Sequence, residues 1–365
     1  CFFLPEMVRR AAARLDVLVE SVDSSGLLPM RAAAKVYSRA VDFRRFLQRT
    51  LRPHLLDFPA PRPLTGLSLP KIEDIPKDIF VRWPRADEDM LASSPKAIAG
   101  LPIDHEIAPV ADFRGGMAAA RKRLVRFVRN RLDGYGEGRN DPDDDSSSGL
   151  SPYLHFGHIS THEIFSEIAQ RENWTPARLA AKATGRREGW WGMNVASEAF
   201  LDQLVTWREL GFNLCSRRPD YDRYESLPDW ARATLDGHAS DRRDYLYSID
   251  EFSRSETHDA VWNAAQRELV RDGRIHNFLR MLWGKKILEW TPGPREALDV
   301  MIELNNRYAL DGRDPNSYSG IFWVLGRYDR PWGPERPIYG KVRYMSSENT
   351  VRKLRLNEYM ARFGN

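Results

Sequence analysis

Only two of the 365 residues are cysteine, Cys1 and Cys215. That excludes a disulfide framework and a four-cysteine zinc or iron–sulfur centre. It fits a reducing compartment, the cytoplasm or, in a eukaryote, the nucleus. No run approaches the ~20 apolar residues that span a bilayer. No charged segment leads into the apolar stretch of a signal peptide. The chain opens on Cys1 rather than methionine, so its natural start, with any segment upstream, is expected to be missing. No G-x-S-x-G, P-loop or dinucleotide fingerprint occurs, and GYGEG at 134–138 is too short to count. The histidines lack metal-ligand spacing: His155 and His158 are three apart, and His158-x-x-x-His162 lacks the glutamate of a zincin. No metal is expected.

Charge of one sign is also scarce in the balance. Fifty-five basic residues face 51 acidic ones, for a net charge of +4 and a pI near 9.0. That permits a polyanionic partner without demanding one. Hydrophobic residues at 42% and charged residues at 29% suit a globular protein long enough for two domains. What is abundant is tryptophan, with 11 copies.

Residues 16–22 (DVLVESV) read as a short buried strand, rich in valine. Residues 31–57 carry helical periodicity through Val36, Val41, Phe43, Phe46, Leu47 and Leu51, which Pro53 interrupts. A proline-rich, weakly periodic stretch then runs to about Phe113. Its apolar residues are too frequent for disorder, so it reads as a connector lying on another domain. Beyond Gly116 the chain is helical: 117–132, then a polar loop at 140–149 (NDPDDDSSSG). Ser160-x-x-Glu163 is a capping box before Ile164, Phe165 and Ile168. Further helices are expected over 198–210, 257–272, 274–290 and 294–309, with Gly273 as a C-cap between two of them. The expected fold is α+β but mainly α. Residues 1–58 would be the tail of an α/β domain, 59–116 a connector and 117–365 a helical domain.

Four constellations could carry chemistry. Trp283 and Trp290 lie seven apart on one expected helix, hence on one face and about 10 Å apart, and Trp262 lies on the helix before. Such indoles could pass an electron, although large aromatics at helical spacing ordinarily form core. The hydroxyl-rich stretch 146–157 (SSSGLSPYLHFG) before a helix could bind phosphate or be a solvated loop. Arg280 and Asp311 could pair or stand as separate surface charges. Aromatic and basic residues alternate over 323–343, which suits nucleic acid and equally an amphipathic surface.

Read together, these signals follow one family's order. Residues 150–160 (LSPYLHFGHIS), 262–269 (WNAAQREL), 280–290 (RMLWGKKILEW), 304–315 (LNNRYALDGRDP) and 329–345 (DRPWGPERPIYGKVRYM) resemble class II photolyases, closely over 135–345 and more loosely over 15–60. The resemblance implies light-driven repair of cyclobutane pyrimidine dimers in DNA by a monomeric flavoprotein. Residues 1–58 would be the remnant of a Rossmann-like antenna domain, and 117–365 the all-helical FAD-binding domain. Tyr135, Ser148, Leu150 and Ser151 would lie near the FAD diphosphate. Asn305 would sit beside flavin N5, where an amide can hydrogen-bond and a carboxylate would repel an anionic ring. Arg280 and Asp311 would pair nearby.

Trp283, Trp262 and Trp290 would form the photoreduction chain, in that order outward. Trp207 and Trp323 would flank a dimer flipped out of the duplex, with Met281 and Asn277 close to it and Trp332 and Arg343 on the DNA. Relatives acting on (6-4) photoproducts place histidines where this chain has Asn277 and Met281, which favours cyclobutane dimers. Two departures stand out. Gln203 occupies a position usually held by a glutamate, and supplies no acidic proton. Asn277 replaces a frequent glycine. A cryptochrome-type photoreceptor using the same tryptophans is the alternative, and a flavin-free helical nucleic-acid binder a third reading.

Overall fold

Helical periodicity becomes helix, and the partners of these helices are other helices. The computed structural model describes residues 3–55, 58–60, 62–144 and 146–364. Cys1, Leu56 and Asp57 at the end of the 31–57 stretch, and Asp145 of the polar loop lie outside the described residues. Among the described residues no β-strand forms; an isolated antiparallel bridge joins Arg336 and Gly340. No described helix is long and apolar enough to cross a membrane.

The strand expected at 16–22 is therefore corrected. Val17, Leu18 and Val22 are 68%, 85% and 85% exposed. A strand needs a neighbour to pair its backbone groups, and none is present among the described residues.

The chain divides into two compact units, 59–109 and the remainder. Residues 59–109 hold three short helices, Lys77–Arg82, Glu88–Leu91 and Pro95–Ala99. Asp87 and Ser94 cap the last two, accepting from the N–H groups of Met90 (2.7 Å) and Ala97 (3.2 Å). Frequent prolines keep these helices short.

The larger unit has two hydrophobic clusters. One joins the helices Ala260–Asp272, Asn277–Trp290, Pro294–Tyr308 and Pro315–Val324 around Trp262, Trp283, Trp290 and Phe322. The other joins Ala40–Thr50, Met117–Asn130, Thr161–Arg171 and Val195–Leu201 around Phe43, Phe127 and Phe165. Gly273 adopts φ +64° after Asp272, the left-handed C-cap its sequence position suggests. Ser160 caps Thr161–Arg171, accepting from the Glu163 N–H at 3.0 Å. The reciprocal half of the expected capping box is not made, because the Glu163 carboxylate takes Arg121 at 2.6 Å.

The single helix expected over 198–210 is instead three segments. Val195–Leu201 passes into a π-turn, Asp202–Trp207, and continues as Arg208–Arg217. The Arg208 N–H reaches back five residues to the Gln203 carbonyl. Such π-turns re-aim side chains, and this one carries Gln203 and Trp207. Two buried contacts hold it. Asp202 accepts two hydrogen bonds from Arg44, from Nε at 2.6 Å and Nη2 at 3.0 Å, with both side chains under a tenth exposed. Glu209 accepts from the N–H groups of Leu27 (2.7 Å) and Leu28 (3.4 Å). A Cβ at Gly26 would overlap its carboxyl, so the glycine lets this backbone approach. Arg208 donates beside it to the Ser25 carbonyl.

Two outcomes follow. Asp202→Ala leaves a buried guanidinium uncompensated and should cost about 3–5 kcal/mol in chemical denaturation; a loss under about 1 kcal/mol would show that the pair holds nothing. Burial pushes the Glu209 carboxyl from its ordinary 4.5 up to about 8, against the lowering effect of the Leu27 N–H and Arg208. The native state therefore keeps a proton the unfolded chain has lost, and stability falls as pH rises through that interval. Denaturation midpoints across pH 5 to 8, a window set by those two values, should show that decline in the wild type and a flatter profile in Glu209→Gln.

Candidate functional site

The hydroxyl-rich loop at 146–150 ends in the short helix Ser151–His155, with Pro152 in its first turn. Gly149 has φ +64°, and a Cβ there would collide with the Arg123 guanidinium. That guanidinium donates to the Ser148 carbonyl at 3.1 Å, so the loop is pulled tight against helix Met117–Asn130. Arg274 donates to the Ser147 hydroxyl at 3.1 Å. Ser151 donates to the Asp311 carboxylate.

This loop forms one wall of a cavity of about 230 Å³. Of the expected site residues, Tyr135, Ser148, Leu150, Ser151, Gln203, Asn277, Arg280 and Asp311 all line it. They come from five separate stretches of sequence, and the helix packing brings them together. Tyr135 packs edge-on against Phe127 at 5.8 Å and Phe200 at 5.2 Å, and its burial raises the hydroxyl pKa. Arg139, Glu268, Arg274, Tyr359 and Arg362 also line the cavity and were not singled out from sequence. Glu268 lies inside the WNAAQREL stretch but carries no signal of its own. Tyr359 and Arg362 fall beyond the stretch that resembles the family.

The donor set fits an anionic dinucleotide. Guanidinium groups of Arg139, Arg274, Arg280 and Arg362 and hydroxyls of Ser147 and Ser148 suit a diphosphate, and the Asp311 and Glu268 carboxyls suit hydroxyl and N–H groups. One expected pairing does not form. Asp311 bonds Ser151 rather than Arg280; Arg280 makes no ion pair among the described residues, so its charge remains available to the cavity. Asn305 is buried at 4% exposure and donates to the Asn306 side chain at 3.4 Å. It does not line the cavity.

The three tryptophans expected to act together are all buried: Trp262 at 0%, Trp283 and Trp290 at 2% exposure. The Trp262 indole N–H donates to the Trp283 carbonyl at 3.0 Å. The Trp283 N–H donates to the Gln266 amide oxygen at 2.8 Å. Trp262 and Trp290 meet edge to face at 6.0 Å. Trp290 in turn meets His258 at 5.0 Å and Tyr247 at 5.7 Å. The core reading and the electron-passing reading thus describe one packing. Trp283 follows the cavity residue Arg280 by one helical turn.

Trp207 and Trp323 were expected to flank a base. They stack on each other, ring centres 4.6 Å apart and 11° from parallel, each covering part of the other's face. Tyr328 meets Trp207 at 6.4 Å. Met281 packs partly buried against the first hydrophobic cluster.

Trp332 and Arg343 do meet, the guanidinium 5.3 Å from the ring, with Arg330 at 4.7 Å. A tight loop sets this up. The Trp332 N–H donates to the Lys341 carbonyl at 2.8 Å and its indole N–H to Asp329 at 3.0 Å. His238 braces the loop between Asp241 at 2.6 Å and Glu335 at 3.1 Å. Those two carboxylates raise its pKa, Asp241 foremost.

No protein-family model matches the chain. It is 37% identical over 361 residues to the deoxyribodipyrimidine photo-lyase of Methanothermobacter thermautotrophicus, covering 98% of this chain and 71% of that one. To the deoxyribodipyrimidine photo-lyase of Oryza sativa subsp. japonica it is 36% identical, covering 94% of this chain and 63% of the relative. The chain thus spans about two thirds of the length of these relatives. Its fold matches a bacterial class III photolyase from Agrobacterium tumefaciens with a TM-score of 0.63, at 20% identity, over 99% of this chain and 65% of that one. Similarity at this level along almost its whole length shows that the chain belongs to the deoxyribodipyrimidine photo-lyase family.

Proposed function

We propose that this chain is a DNA photolyase of the class II type, which splits cyclobutane pyrimidine dimers with light and holds FAD in the cavity described above. The observation that carries the reading is the convergence of Ser148, Leu150, Ser151, Gln203, Arg280 and Asp311 on one cavity. In this reading residues 1–58 are the end of an antenna domain, 59–116 its connector and 117–365 the FAD-binding domain. The protein acts as a monomer on DNA, in the cytoplasm or a nucleus.

When bound, reduced FAD supplies the electron that light moves to the dimer and that returns after the ring opens. The protein positions the partners and keeps the site dry. Ser148 and Ser151 would hold the diphosphate, with Tyr135 and Leu150 beside it, and Arg280 and Asp311 would lie near the flavin ring. Trp290, Trp262 and Trp283, in that order inward, would relay electrons through the core. Trp207 and Trp323 separate to admit the flipped dimer and stack on it. Gln203 and Asn277 hydrogen-bond its polar edges, and Met281 fills the space beside it. Trp332 and Arg343 meet the DNA backbone. Gln203 is an amide, so it orients the dimer without delivering a proton. That substitution is the observation favouring a second reading, a cryptochrome-type photoreceptor.

A repair assay separates the two. Photoreduced protein is mixed with a thymine-dimer oligonucleotide and illuminated, and thymine absorbance is followed against a dark control. Light-dependent recovery is expected, faster in Gln203→Glu. Protein that carries reducible FAD but restores no thymine, in either form, would place the chain with the photoreceptors.

The DNA contacts are distinguishable by substrate. Base–indole stacking is worth about 1–3 kcal/mol, so Trp323→Ala should weaken binding to dimer-containing DNA roughly ten-fold or more while hardly changing undamaged DNA. Arg343→Ala should weaken both alike and reduce the salt slope by about one. Equal losses on both DNAs for Trp323→Ala would make it a general contact.

A further inference from the structure

The last described helix, Asn357–Phe363, lies beyond residues 135–345, whose motifs carried the resemblance in the sequence, yet it supplies Tyr359, Arg362 and Phe363 to the cavity wall. Seven residues cannot hold a helix in water unaided. Its contacts go to two places. On one side the Asp143 carboxylate accepts from the Tyr359 N–H at 2.7 Å and the Glu358 N–H at 3.3 Å. Arg362 donates to the Pro142 carbonyl at 3.2 Å, and Arg355 pairs with Asp141 at 2.7 Å. These partners belong to the segment that leads directly into the hydroxyl-rich loop.

On the other side the Tyr359 hydroxyl donates to Glu268 at 2.9 Å. Arg271 donates to the Arg362 carbonyl at 2.9 Å and lies 4.1 Å from the Phe363 ring. Glu268 is itself a cavity residue, 3% exposed, and also accepts the His276 N–H at 2.9 Å. The helix therefore bridges the loop segment and helix Ala260–Asp272, and its own side chains face the space between them.

We propose that helix Asn357–Phe363 is the retaining wall of the dinucleotide cavity, with Arg362 a ligand to the anionic part of the bound molecule and Tyr359 the pin that docks the wall. This rests on the flavin reading of the cavity. Docking and ligand binding reinforce each other: a molecule that binds only the docked form stabilises it by mass action. The wall joins those hydrogen bonds to buried packing: Tyr359 and Phe363, 1% and 3% exposed, belong to the hydrophobic cluster of helix Ala260–Asp272.

The test uses the full chain and FAD. Dissociation constants are measured by flavin fluorescence for wild type, Arg362→Ala, Arg362→Lys and Tyr359→Phe, and amide hydrogen exchange over 356–363 is followed with and without FAD. Arg362→Ala should weaken FAD about ten-fold, the worth of one charge-assisted hydrogen bond, and Arg362→Lys should recover part of it. Amides of 357–363 should exchange more slowly with FAD bound. Arg362 is exposed, so its replacement leaves folding intact whatever Tyr359→Phe does. Unchanged affinity in Arg362→Ala, or exchange indifferent to FAD, overturns the proposal. Wild-type protein that binds no FAD at all overturns the flavin reading, and the wall with it.

Discussion

The bidentate pair between Arg44 and Asp202 stands at the head of the π-turn, and the candidate site depends on it. Asp202 is the first residue of the turn, Gln203 the second and Trp207 the last. Fixing Asp202 against helix Ala40–Thr50 fixes the direction in which the other two project. The guanidinium also donates to the Gly185 carbonyl at 3.1 Å, so one buried cation ties three segments together. A buried pair of this kind adds little net stability over an apolar substitute. What it supplies is position. Only one register of the 195–217 segment lets both Asp202 oxygens meet the fork of Arg44.

The same segment is tied again one turn later, where Arg208 and Glu209 hold residues 25–28. The stretch from 25 onward is thus ordered by the helical body, although no sheet forms among the described residues to receive it. This explains how much of the fold was legible in the sequence. Helices 117–130, 260–272 and 294–308 each carry an apolar face that can be read locally, 277–290 reads as helix although it is buried on every side, and Gly273 declares the cap between 260–272 and 277–290. The segment 16–22 has the composition of a strand, but strand formation needs a partner, and a partner is a property of the whole fold. The π-turn left no trace either. It arises because Asp202 and Glu209 must each reach a fixed buried partner, and nothing in the local pattern of DQLVTW reports that.

Within the site the legible part is the family wording: Ser148, Ser151, Arg280 and Asp311 share one cavity. Their individual bonds were not legible. Asp311 chose a serine hydroxyl over a guanidinium, and Glu163 chose Arg121 over its own helix terminus. In both cases the sequence offered two chemically reasonable partners and tertiary distance decided between them. Tyr359 and Glu268 show the opposite difficulty. Each is an ordinary residue at an ordinary position, and only their 2.9 Å contact gives them a place in the site.

The stacked pair Trp207 and Trp323 sets a threshold for what can enter. Aromatic contacts of this kind are worth about 0.5–1.5 kcal/mol beyond the area they bury. A flipped nucleotide must repay that and the few kcal/mol of leaving the duplex, and each indole face it gains returns about 1–3 kcal/mol. A normally paired base pays the full extrusion cost and presents one ring. A dimer has already lost part of its stacking and pairing and presents two joined rings, one for each indole. In the proposed photolyase reading the closed pair would discriminate before any chemistry occurs: opening it would be unfavourable for undamaged DNA and close to balanced for the lesion. On that arithmetic, the proposed selectivity for damaged DNA would reside in the energy of the tryptophan stack as much as in any hydrogen bond from Gln203.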